Sequence, residues 1–167
     1  MSQPPQRQQV NEPRMRPTNP ATLVVVGLAT AALAWVIVGH YYGDVPAIPW
    51  LPAFTVFALA ICEAVLARST KARIDRRPGA APVQALAVAR YVVLAKASSL
   101  AGAIFAGFYA GVLVWLLAQR TRLAAAGSDI APAAAGLVAA LALIAAALWL
   151  ERACRVPQRP DEEEEPE

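Results

Sequence analysis

Two ionisable side chains stand where their surroundings are almost entirely apolar: Glu63, within Leu51 to Ala67, and Lys96, near the head of a stretch that runs to Ala118. A carboxylate and an ammonium so placed can neutralise one another, can extend toward the edge of the apolar zone, or can bind a proton or a cation. Ser98 and Ser99 follow Lys96 directly, and a lysine beside a serine is the minimum of a nucleophile and base pair. Catalysis would also need an oxyanion-stabilising group and a cleft, which these residues lack in sequence, so the serines are read as bonding a backbone carbonyl or a facing helix. His40, the single histidine, stands beside Tyr41, Tyr42 and Asp44. Alone it falls short of the ligand count of a zinc site and is read as an interfacial anchor. Cys62 and Cys154 suggest no disulfide framework, and Leu59-Ala60-Ile61-Cys62 has the spacing of a lipoprotein processing site but lies too deep in the chain. No phosphate-binding glycine loop, paired metal-binding cysteines or hydrolase elbow occurs, so the expectation is no cofactor, no metal and no enzymatic activity.

The elements that must position these residues follow from composition. Of 167 residues, 57% are hydrophobic and 16% charged, and the charges come in blocks separated by long uncharged runs. A water-soluble fold needs a polar face on nearly every element, whereas blocks of this kind mark helices that cross a bilayer. The fold class is therefore all-α, a four-helix transmembrane bundle, with spans at about 21–42, 51–67, 84–118 and 130–151. Thr18 or Asn19 can cap the first span and Pro20 suits its first turn; Ser128 or Asp129 is the expected cap of the fourth. A cleavable signal peptide is the rival reading of the first run, but no small-x-small site follows it, and Tyr41 and Tyr42 suit an interfacial belt. The membrane domain is expected over 20–156. Residues 1–19, rich in Pro and Gln, and 157–167, rich in Glu, are expected to be disordered tails.

Orientation follows from the cations. Twelve of the 15 Lys and Arg lie in the N-terminal tail, in the loop from Arg68 to Arg90, and beyond Glu151, so the positive-inside rule places both termini in the cytoplasm and the protein in the plasma membrane as a multi-pass chain. Flanking arginines then serve orientation and anionic lipid, which removes nucleic acid as a partner class. In this topology Glu63 and Lys96 lie toward the same leaflet at similar depth, so an intramembrane ion pair is geometrically available. Gly107 and Gly111, extended by Ala103, form a small-xxx-small series in the third span, and Gly27 with Ala31 repeats the spacing in the first. These are candidate helix-packing positions, with contact inside one chain preferred over contact between chains.

Several strings together, Pro49-Trp50-Leu51-Pro52, Glu63-Ala64-Val65-Leu66, Arg90 with Ala95-Lys96-Ala97-Ser98-Ser99, and Glu151-Arg152-Ala153-Cys154-Arg155, resemble a family of small actinobacterial membrane proteins catalogued as a domain of unknown function. The resemblance spans residues 20 to 156 and implies four membrane helices with a short outer Pro-Trp-Leu-Pro turn. Members of that family often sit beside folate-biosynthesis genes, an association that implies no activity and transfers no site. The expected role is a non-enzymatic accessory or scaffold protein whose partners are the bilayer and a membrane protein or a second copy, with no identifiable small-molecule substrate. The alternative is a small proton-coupled transporter, or a transporter subunit, that uses Glu63.

Overall fold

A computed structural model describes residues 18–43, 48–74 and 85–154. Within them lie four helices and no strand: α1 (Pro20–Tyr41), α2 (Leu51–Ile74), α3 (Ala85–Gln119) and α4 (Ala124–Ala153). All four are long and apolar enough to cross a membrane, the expected all-α, four-helix architecture. Apart from Thr18 and Asn19, the tails lie outside the described residues, as do Arg76, Arg77 and the Pro78-Gly79 turn of the basic loop.

Local chemistry sets the ends. The Asn19 side chain accepts a hydrogen bond from the Ala21 N–H at 3.0 Å, and Pro20 fills the first position of α1, where a missing N–H costs nothing. Two boundaries differ from the sequence reading. α2 does not stop at 67 but continues through Arg68, Lys71 and Arg73 to Ile74; leaving lipid does not end a helix, and cations in a last turn complement the carbonyl end of the dipole. α4 begins at Ala124, not at 130, with Leu123 as a cap residue that makes no side-chain bond. Ala124-Ala125-Ala126 carries the helix through Gly127, and Asp129, the expected cap, sits inside α4 with its carboxylate engaged elsewhere.

Chain order does not set the neighbours. α3 and α4 pack together at the centre, α1 packs on α3, and α2 packs on α4, while α1 and α2 make no extended contact with each other. The Thr18 N–H donates to the Glu151 carboxylate at 2.9 Å, so the start of α1 and the end of α4 share one end of the domain. At 35 residues α3 is roughly 52 Å long, well beyond the roughly 30 Å of hydrocarbon.

The inward row of α2 is Ala53, Val56, Ala60, Glu63, Ala67 and Thr70, an alternation of three and four residues that keeps one stripe against α4. α1 buries only Leu23 and Ala34, and its Val24, Val25, Leu28 and Leu33 are all about 60% exposed or more. In water such a surface would drive association; in lipid it is the expected outer face.

Candidate functional site

The strongest sequence candidate, Glu63, is placed by the α2 row at the junction with α3 and α4. It is 1% exposed, and neither carboxylate oxygen has a hydrogen-bond partner. The Ser98 side chain of α3 faces it outside hydrogen-bond geometry. Glu63 and Lys96 are therefore not hydrogen-bonded to each other, although both belong to the same part of the domain; Lys96 is part-buried on α3. An acid in this position costs on the order of 3 kcal/mol or more if it is charged. Ser99 takes the structural course expected of a membrane serine, its hydroxyl donating to the Lys96 carbonyl at 2.9 Å.

The five small-residue candidates converge on one seam between α1 and α3. A Cβ added at Gly107 would collide with the Gly27 carbonyl and the Thr30 hydroxyl, and one added at Gly111 would collide with the Ala31 carbonyl. Gly27 in turn faces the Ala103 carbonyl, 3.5 Å from the position a Cβ would take. The seam lies within one chain, and glycine is required there because backbone meets backbone. Thr30 does not use its hydroxyl across the seam; it returns it to the carbonyls of Val26 and Gly27 at 2.9 and 3.0 Å.

Sequence reasoning missed the residues that join the ends of the domain. Asp129 of α4 accepts from the Tyr42 hydroxyl at 2.9 Å and from the Ile48 N–H at 3.3 Å, so one carboxylate joins the end of α1 and the approach to α2 to the head of α4. Tyr42 also packs on Trp115 of α3, with ring centroids 4.6 Å apart. Burial, then the hydrogen bond and the charge of Asp129, push the Tyr42 phenol up to about 12 from its ordinary 10.0. At the opposite end Glu151 receives the Thr18 N–H, and Arg68 lies over the Trp149 ring at 5.5 Å. The signals were present as single polar residues at span ends, but backbone donors 133 and 81 positions away leave no pattern in sequence.

The remaining candidates stay apart. His40 is exposed, with Tyr41 as its aromatic neighbour at 6.2 Å. Cys62 is exposed and Cys154 buried, and burial pushes the Cys154 thiol up. Two apolar hollows flank the centre. One, of about 310 Å³, lies among Val38 of α1, Tyr42 just past its end, Pro49, and Phe108, Tyr109 and Val112 of α3. The other, of about 350 Å³, lies between Trp50, Ala53 and Phe57 on the α2 side and Ala135, Val138 and Ala139 of α4. Glu63 lines neither. Chemically the arrangement can tie helices together and can hold one acid out of water.

The family model described as a protein of unknown function, DUF3180, matches residues 23–158, and the chain belongs to that family. No match was found among curated proteins or among solved structures.

Proposed function

We propose that this DUF3180 chain is a non-enzymatic accessory or scaffold component of the plasma membrane, with both termini in the cytoplasm. The observation that carries the reading is the use made of the polar side chains at the two ends. Asp129 and Glu151 are spent on joining one segment of the chain to another, and the helices between them meet through small residues. Such a domain is suited to holding a fixed shape while offering the lipid-facing sides of α1 and α2 to a membrane partner or to a second copy. The cation distribution supports the orientation: Arg68, Lys71 and Arg73 belong to the end that holds Glu151. The test is affinity purification of the tagged protein from native membranes in several mild detergents. A reproducible membrane partner or a stable self-complex is expected; recovery of the monomer alone in every detergent rejects the reading.

A second reading, a small proton-coupled transporter or transporter subunit, is favoured by one observation, the unpartnered carboxyl of Glu63. A knockout strain complemented with Glu63→Gln decides it. Loss of a transport or resistance phenotype supports a carrier, and full complementation of every such phenotype rejects one.

A further inference from the structure

Glu63 is a side chain that neither seam nor end requires. Its neighbours along α2 belong to two apolar clusters, Val56 and Ala60 with Ala139 and Leu143 on one side, and Ala67 with Ala95 and Leu150 on the other. Alanine would continue the row between them with no polar group to bury. Among the described residues the other buried acids, Asp129 and Glu151, each accept from a donor on a distant segment, whereas the Glu63 oxygens accept from none. A carboxylate ion taken out of water needs donors or a countercharge, while the neutral acid needs far less.

The geometry points to Glu63 as a proton-binding site: the closed junction of α2, α3 and α4 holds the carboxyl with its proton, and α2 must part from its neighbours before water can take that proton away. Binding forms one O–H bond on a carboxylate oxygen with a proton drawn from water, and release returns it to water. A metal cation would need several more oxygens than this site offers, whereas one carboxyl suffices for a proton. The titratable groups on the packed elements of this half are Arg90, Tyr91 and Lys96 on α3, Glu151 and Arg152 on α4 with Cys154 just past its end, and Arg68, Lys71 and Arg73 on α2 itself; none of them is hydrogen-bonded to the carboxyl. The inference holds whether the domain is a scaffold or a carrier, because it concerns the state of the closed junction and not what that junction serves.

Infrared spectroscopy of the full chain in lipid vesicles tests it. At neutral pH the wild type is expected to show the C=O stretch of an un-ionised carboxyl, and Glu63→Gln to lack it. On transfer to D2O that band is expected to shift at least about tenfold more slowly than the bulk solvent is replaced, since it must await opening of the seam. Absence of the band in the wild type at neutral pH overturns the proposal. So does its persistence in Glu63→Gln, or its immediate shift in D2O. Should Glu63→Gln fail to fold, Glu63→Met, which also removes the acid, supplies the same comparison.

Discussion

α1 meets α3 through glycines that leave no room for a methyl group, while α2, which contains no glycine, meets α4 through alanine methyls and leaves a hollow of about 350 Å³ beside them. The first seam is specified by shape alone: two carbonyls of α1, those of Gly27 and Ala31, stand over Gly107 and Gly111. The second tolerates variation in shape but carries an ionisable group, Glu63, that shape does not require. A membrane domain can thus separate its fixed parts from its adjustable ones, because lipid withholds the hydrophobic drive between helices and leaves each seam to be decided by its own packing and polar groups.

The sharpest way to break the contrast is Gly107→Val. The side chain would be driven into backbone, which cannot rotate aside, so a loss of at least about 3 kcal/mol is expected. The measurement is reversible unfolding in mixed micelles, and a cost below about 1 kcal/mol would put the two seams on an equal footing.

Asp129→Ala ranks next. It strands the Tyr42 hydroxyl and the Ile48 N–H, and a loss of about 2 kcal/mol is expected by the same unfolding measurement. The same latch responds to pH. The phenol's folded value of about 12 lies above its ordinary 10.0, so the protonated form is favoured in the fold. Its contribution is fully present below pH 10 and is lost as pH rises toward 12. Phenolate absorbance of the wild type should contain a late-titrating component that is missing in Tyr42→Phe; superimposable high-pH titrations of the two proteins, apart from the loss of one ordinary tyrosine, would remove the latch from the account.

In the adjustable seam, Ala60→Val adds two methyl groups near the hollow lined by Ala53 and Ala139 and is expected to cost only about 1 kcal/mol. A cost equal to that of Gly107→Val would show this seam to be as tight as the other. The smallest effect has the opposite sign. A Cβ at Gly127 would meet nothing within 4 Å, and since the position is helical, Gly127→Ala should stabilise by about 0.5–1 kcal/mol.

The four spans were legible because charge is excluded from lipid over lengths that only helices can cross, and Gly27, Ala31, Ala103, Gly107 and Gly111 stood out as small residues on one helix face because positions spaced by four share it. Which helices would be neighbours was not legible, since hydropathy carries no information about partners. Asp129 shows how a local rule misleads: an acid after Gly127 and Ser128 reads as a helix cap, yet its bonds go to Tyr42 and Ile48, and α4 starts earlier without a side-chain cap. Glu63 was visible as a charge in an apolar run, but its lack of any hydrogen-bond partner depends on side-chain geometry at a junction of three helices.

The packing order also bears on synthesis. Because α1 rests on α3 and α2 on α4, α1 and α2 are each made before the helix they pack against. Each drifts in lipid until its later partner is made. A chain halted after α2 would therefore lack both of the seams that hold these helices, and it is α4 that brings the carboxylate fastening the Tyr42 end of α1 to the approach to α2.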